Sequence, residues 1–199
     1  MQAYRAIQAF AATRPLVFAT TTATAKTAAC DLMVQLKVEE RETIDLRRLG
    51  IFAAFGFSFL GCWHYALFVK IMPRCFPGAE TFAAKSIRDK LRDPAGQRAI
   101  LGQLLLENGF NNAFCYFPCF YSLQAIIEGR PVVDGLRKWR DKFVVDVPSI
   151  WSWWVPVQTL NFSFSPLWMR VPVTTLASFV WTSYVSFSQY KPAAAEKAP

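Results

Sequence analysis

The residues of this chain best suited to chemistry are polar side chains set within or beside long apolar runs. An ionisable group costs roughly 2.5–3.5 kcal/mol at the centre of a membrane helix, so such groups usually face the protein interior or a water path. Two arrangements would satisfy them here. Asp31, Glu107 and Arg170 could border a water-filled pathway for small solutes or ions, or the polar residues could form one buried network of hydrogen bonds and ion pairs that joins the helices. The candidates are Asp31, Gln35, His64, Glu107, Asn108 and Arg170, with Gln158 and Asn161 as further amides able to bridge helices.

Residue types that form metal and catalytic sites are sparse. His64 is the only histidine, so no second histidine can complete a metal site, and packing is its simpler role. The five cysteines lack Cys-x-x-Cys spacing, and packing is favoured over a metal or redox pair for Cys115 and Cys119, which lie four residues apart. The sequence has no glycine-rich phosphate loop and no Gly-x-Ser-x-Gly motif. We therefore expect no enzymatic activity, no cofactor and no metal.

The elements that must position these residues are membrane helices. The chain has 199 residues, of which 53% are hydrophobic and 16% aromatic, and a net charge of +8; its mean hydropathy is +0.21. It is too apolar for an ordinary soluble domain and too charged to lie wholly within a membrane. We predict an all-α integral membrane bundle of four transmembrane helices plus interfacial amphipathic helices. This single domain covers residues 1–190, and a flexible tail follows over 191–199.

The four predicted spans cover about 16–36, 49–72, 99–127 and 171–188. The second is long enough for a hydrocarbon core of roughly 30 Å. Its glycines, Gly50, Gly56 and Gly61, give small contact points. The first is rich in alanine and threonine, and small residues of this kind allow helices to approach closely.

Three further segments, 3–13, 80–92 and 134–144, carry apolar residues at helical spacing. Amphipathic helices of this kind lie flat on a membrane. In 80–92 the basic residues, Lys85, Arg88, Lys90 and Arg92, lie opposite the apolar ones. Basic loops either bind anionic lipids such as cardiolipin or are plain solvated faces, and they do not form the single stripe typical of a nucleic-acid-binding protein.

Residues 151–190 combine tryptophans, prolines, amides and one arginine ahead of an apolar run, a mixture that suits the boundary between water and lipid. The segment before that run is either a helix lying at the interface or the kinked first half of a long helix. Its order resembles a signature of the family of peroxisomal membrane proteins of twenty-two kilodaltons, also called the Mpv-seventeen family. That signature is Trp-Pro-x-x-Gln-x-x-Asn-Phe-x-x-Val-Pro-x-x-x-Arg, followed by Trp-x-x-Tyr-Leu-Ser. The matching positions are Trp154, Gln158, Asn161, Phe162, Pro166, Arg170, Trp181, Tyr184 and Ser186.

Earlier motifs of the same family are present in altered form. Cys30-Asp31-Leu-Met-Val-Gln35 stands for Gly-Asp-x-x-x-Gln, with the glycine lost, and Asp45 and Arg48 fit an Asp-x-x-Arg element. Residues 61–65 keep the composition of Gly-Pro-x-x-His-x-Trp-Tyr but not its register. Glu107-Asn108 stands where the family has Asp-Gln.

The resemblance implies an organelle membrane, either the mitochondrial inner membrane or the peroxisomal membrane. A basic start with no acidic residue before Asp31, and an ending other than Ser-Lys-Leu, favour mitochondria. The resemblance also implies a small-solute channel supporting metabolite or redox homeostasis, alone or as a homo-oligomer. The altered motifs of the first two spans favour the alternative, a non-catalytic accessory subunit of a large inner-membrane assembly such as a respiratory-chain complex.

Overall fold

The computed structural model describes the backbone of residues 2–189 and the side chains of residues 6–181, except those of Gln8 and Val38. Every regular element in that range is helical, which confirms the predicted all-α fold. The side chains of Tyr184 and Ser186 and the tail 191–199 lie outside the described residues.

The helices follow one another with short connections. They are α1 (Gln2–Thr13), α2 (Pro15–Met33, extended by a π-helical turn over Val34–Val38), α3 (Leu46–Cys75), α4 (Gly78–Ala84), α5 (Ile87–Leu91), α6 (Pro94–Leu104, continued through Leu105–Tyr116 to Phe117–Ile127), α7 (Val132–Phe164) and α8 (Leu167–Gln189). The four predicted spans lie within α2, α3, α6 and α8 respectively.

Local chemistry accounts for the helix ends. The Asp45 carboxylate accepts the backbone N–H of Arg48 at 2.9 Å and so begins α3. Proline stands in the first turn of α2 and of α6, where its missing N–H is no loss. Between α6 and α7, Gly129 adopts a φ of 72°, which a side chain would disfavour.

The amphipathic segment 80–92 forms the two short helices α4 and α5. They are separate because Ser86 is extended and its side chain accepts the backbone N–H of Asp89, which starts α5. Lys90, predicted on the polar face, is instead buried. Its ammonium donates to the carbonyl of Ala83 at 3.0 Å and lies 4.6 Å from the ring centroid of Phe164. Lys90 therefore holds the end of α4 against α7.

The segment 134–144 and the aromatic segment that follows it form one helix, α7, which contains Pro148 and Pro156. The helix ends at Phe164, and Pro166 lies in the break before α8. The aromatic segment is therefore not the first half of the fourth predicted span, because the helix stops where Ser165 is extended, a conformation favoured in the residue before a proline.

Close packing of α2 on α3 organises the bundle, and α8 also packs on α2. A Cβ atom at Gly61 would lie 2.8 Å from the Cα of Thr20, and one at Gly56 would lie 2.9 Å from the Cβ of Thr27. Both glycines thus permit the approach predicted for them. Gly50 has open space beside it and is not a contact point.

By length and composition, one helix among the described residues, Leu46–Cys75, could cross a membrane. The prediction of four spans is therefore not confirmed. The main apolar core joins the C-terminal half of α3 to α4, α6, α7 and α8 around Phe68, Met72 and Phe162.

Candidate functional site

A cavity of about 280 Å³ lies between the five long helices α2, α3, α6, α7 and α8, all of which contribute to its wall. Its titratable lining residues include Asp31, His64 and Glu107 from the predicted set. Rings cover much of the rest, among them Phe52, Phe55, Tyr116, Phe120, Trp154 and Trp181. The cavity thus offers both charge and apolar surface to whatever enters it.

Asp31 and Gln35 join α2 to the start of α3. The Asp31 carboxylate lies 2.8 Å from Nε of Arg48, and it accepts a hydrogen bond of 2.8 Å from the Gln35 amide. The Gln35 carbonyl in turn accepts the backbone N–H of Asp45 at 2.7 Å. A buried carboxylate therefore has a cation and an amide as partners, as its removal from water requires.

His64 and Glu107 meet across α3 and α6. His64 Nε2 lies 4.0 Å from the Glu107 carboxyl, and the Asn111 amide donates to that carboxyl at 3.0 Å. Trp63 donates its indole N–H to the side-chain carbonyl of Asn111 at 2.7 Å. His64 also stacks on Phe68, with ring centroids 5.1 Å apart. Glu107 and Asn111 are one turn apart on a helix, so they share a face.

Asn108 is buried on α6 behind this pair. Its amide donates to the carbonyl of Leu104 at 3.3 Å, and its side-chain oxygen accepts from Asn112 at the same distance. Its backbone carbonyl accepts the indole N–H of Trp151 at 2.9 Å. Asn108 therefore links α6 to α7 and does not line the cavity.

Arg170 is buried at the start of α8 and does not line the cavity. It donates to the Gln103 side-chain carbonyl at 3.2 Å and to the backbone carbonyl of Phe162 at 3.5 Å, and it lies 5.3 Å from the Phe162 ring centroid. No carboxylate of the described residues lies within 4.0 Å of the guanidinium. Arg170 Nε and Gln103 Nε2 have no hydrogen-bond partner in the described part of the chain.

The amides of the C-terminal signature fasten α7 to α8. The Asn161 side chain donates to the Gln158 carbonyl, to the backbone carbonyl of Arg170 and to the Thr174 hydroxyl, each at 3.0 Å. The Thr174 hydroxyl donates to the Arg170 carbonyl at 2.9 Å. These bonds surround the break between the two helices, so the signature has a structural role there.

The other signature residues with described side chains occupy two places. Trp154 and Trp181 line the cavity, and Trp181 stacks on Trp153 with ring centroids 5.3 Å apart. Pro166 is exposed in the break between α7 and α8. Tyr184 and Ser186 lie outside the residues whose side chains are described.

The hydrogen bonds and ion pairs of the described residues divide the candidates other than Asn108 into three groups, and Asn108 is bonded to none of them. One is at the α2–α3 junction, one lies between α3 and α6, and one lies at the α7–α8 break. The first two each place a carboxyl group at the cavity, whereas the third reaches it only through Thr174, and Arg170 itself does not line it. The predicted set is therefore neither one continuous network nor one cavity lining.

Outside the predicted spans, Glu39 connects two arginines. Its carboxylate accepts from Arg48 at 2.6 Å and from Arg41 at 2.5 Å. Hydrogen bonding to Arg48, with a smaller contribution from Arg41, lowers the pKa of Glu39 below its ordinary value. Ionised Glu39 therefore binds Arg41 in the loop and Arg48 on α3, and so stabilises the loop that carries Asp45.

Several partners of the predicted residues escaped sequence reasoning as site residues. Lys26 lines the cavity, Gln103 and Thr174 belong to the Arg170 group, and Asn111 holds Glu107. The one available signal was helical spacing, which puts Lys26 near the face of Cys30 and Asn111 one turn after Glu107.

Comparison with known proteins supports the resemblance drawn from the motifs. The model of the Mpv17 / PMP22 family matches residues 125–186. Mitochondrial inner membrane protein Mpv17 of Danio rerio is 26% identical over 195 residues, covering 94% of this chain and 97% of that protein. Protein sym1 of Aspergillus oryzae is 26% identical over 185 residues, covering 92% and 95% respectively. Mpv17-like protein of Bos taurus is 25% identical over 127 residues, 64% of this chain and 63% of that protein.

These matches confirm the predicted resemblance to the Mpv17/PMP22 family. The Danio rerio relative is named a mitochondrial inner membrane protein, which agrees with the location predicted for this chain. No solved structure is significantly similar to the chain.

Proposed function

We propose, on the premise that this chain is a divergent relative of the Mpv17/PMP22 family, that it forms a small-solute channel with four spans in the mitochondrial inner membrane. The spans are α2, α3, α6 and α8, and the cavity between them is the compartment through which solute passes. The observation that carries the proposal is this cavity, because helices from the whole bundle bring Asp31, His64 and Glu107 to its wall. Its solutes serve metabolite or redox homeostasis.

The distribution of polarity supports a lipid environment. Many buried residues are polar or charged, including Gln35, Gln103, Glu107, Asn111, Gln158, Asn161 and Arg170. Large apolar side chains face outward on the proposed spans and on α7, among them Phe57, Leu101, Leu105, Phe110, Leu160 and Leu176. A soluble protein rarely exposes so much apolar surface, whereas a membrane protein turns its ionisable groups inward.

Reconstitution in liposomes tests the channel. We expect wild-type protein to pass small solutes, and Glu107→Gln to change that flux with little effect on the melting temperature, because Glu107 lines the cavity. Arg170→Gln is expected to lower the melting temperature, because the Arg170 side chain is buried, bonds Gln103 and does not line the cavity. Glu42→Gln, which changes an exposed carboxylate, is the matched control.

One outcome would contradict the channel and another would contradict the role of Glu107 in it. Liposomes carrying folded protein could be no more permeable than empty ones, or the flux of Glu107→Gln could equal that of wild type and of Glu42→Gln. The second outcome would remove Glu107 from the pathway and leave it in a structural role.

The second candidate function is a non-catalytic subunit of a larger inner-membrane assembly, with anionic lipids such as cardiolipin at its basic loops. It is favoured by the altered motif around Cys30 and at residues 61–65, where a constraint on the pore could have relaxed. Native gel electrophoresis of the endogenous protein separates the two functions. Comigration with a large complex, lost only when that complex dissociates, supports the subunit, and migration as a small species supports the channel.

A further inference from the structure

We propose that Lys26 binds an anionic group, a carboxylate or a phosphate, inside the cavity. The inference rests on the proposed function and deepens it, since it names the class of solute that the cavity accepts. Lys26 lies on α2 at the cavity wall, one turn before Cys30 and Asp31.

Lys26 differs from the other cation of the cavity. Arg48 has carboxylate partners in Asp31 and Glu39, at 2.8 and 2.6 Å. The Lys26 ammonium donates to the hydroxyl of Ser178 on α8 at 2.7 Å, and no carboxylate of the described residues lies within 4.0 Å of it. The described part of the cavity thus has one paired cation and one whose only hydrogen-bond partner is a neutral group.

A half-buried ammonium without a negative partner is costly, because a hydroxyl dipole replaces only part of its hydration. A solute anion that enters the cavity would supply the negative charge that the Lys26 ammonium lacks. Lysine suits this task, because its ammonium binds carboxylate or phosphate oxygens as a compact point charge. Ser178, which contacts Lys26, and Thr175 both line the cavity from α8 and offer hydroxyl groups to an anion there.

Glu107 is not the negative partner that Lys26 lacks. Its carboxyl is held by Asn111 and lies 4.0 Å from His64, on the wall formed by α3 and α6. Trp154 and Trp181 also line the cavity and offer it apolar faces. Such a lining fits an organic anion better than a bare inorganic ion, because the rings gain by covering carbon atoms.

Melting temperature in a neutral detergent, followed as an anion is added, tests the inference. The probes are inorganic phosphate and, separately, short-chain phosphatidylglycerol, and potassium chloride at matched ionic strength corrects for general salt effects. An anion that binds the folded protein raises its melting temperature in a saturable way. We expect this rise for wild type and for Lys26→Arg, and a half-saturation concentration at least about tenfold higher for Lys26→Gln. Lys37→Gln, an exposed site on the turn that extends α2, should behave as wild type.

The two probes separate the sources of the anion. A Lys26-dependent rise with phosphate assigns the site to a free anion, and one with the lipid alone assigns it to a headgroup. Equal titrations of wild type and Lys26→Gln with both probes would overturn the inference. Lys26→Met provides the same comparison if the glutamine variant is too unstable. Since the titration needs no conductance, Lys26-dependent binding without solute flux would overturn the channel alone, and flux without such binding would overturn this inference alone.

Discussion

At the scale of single residues, the least satisfied group of the described interior is the pair Arg170–Gln103. A buried guanidinium normally has a carboxylate beside it, but here the partner at 3.2 Å is an amide. We predict that Gln103→Glu raises the free energy of unfolding by about 1.5–3 kcal/mol, because a charged acceptor replaces a neutral one next to Arg170. Gln103→Met should lower it. Thermal unfolding in detergent measures both effects. If Gln103→Glu destabilised the protein as much as Gln103→Met, the prediction would be contradicted.

Glu39 gives a prediction for pH. Its folded pKa is lowered by Arg48 and Arg41, so the stability that it contributes is fully present above its unfolded pKa and is lost as the pH falls through the folded value. The melting temperature of wild type should therefore fall further than that of Glu39→Gln when the pH is lowered from 6 to below about 4.3, the ordinary glutamate pKa. Glu42→Gln, at an exposed position, should follow wild type. Parallel curves for wild type and Glu39→Gln would show that the arginine contacts do not affect stability.

At the scale of helices, the contact of α2 with α3 depends on glycine where backbones approach. We predict that Gly61→Ala destabilises the protein by roughly 1–3 kcal/mol, because its Cβ would lie 2.8 Å from the Cα of Thr20 and only backbone movement can relieve that. Gly50→Ala on the same helix has open space beside it. It should be neutral, or should stabilise by up to about 1 kcal/mol through helix propensity. Melting temperatures of the two variants make the comparison, and equal losses would contradict the proposed close approach.

The scale of helices also shows where sequence patterns are reliable. All four predicted spans lie inside helices. Long apolar runs predict helices reliably, because the prediction depends on the length of the run and not on any single residue. The division of 80–92 into two helices was missed, because it depends on the extended backbone of Ser86. Burial of Lys90 was also missed, because its partner Phe164 is distant in sequence.

At the scale of the whole molecule, the number of spans decides the topology. Four spans put both termini on the same side of the membrane, whereas Leu46–Cys75 alone would put them on opposite sides. We predict that tags fused at each end are digested together or protected together when protease is added to mitoplasts or to inverted inner-membrane vesicles. A tag digested at one end and protected at the other would require an odd number of spans. Resistance of the protein to alkaline carbonate extraction checks that it is integral.

The sequence by itself determined the all-helical fold, the family resemblance and the identity of half of the described buried polar residues. It could do so because apolar run length, helical spacing and motif order are local properties of the chain. Only the tertiary structure decided how these residues are grouped. Asp31 and Glu107 share a cavity with Lys26, whereas Arg170 lies apart with Gln103, a residue 67 positions away. Such grouping depends on which helix faces meet, and that is set by close contacts such as Gly61 on Thr20, which no local pattern specifies.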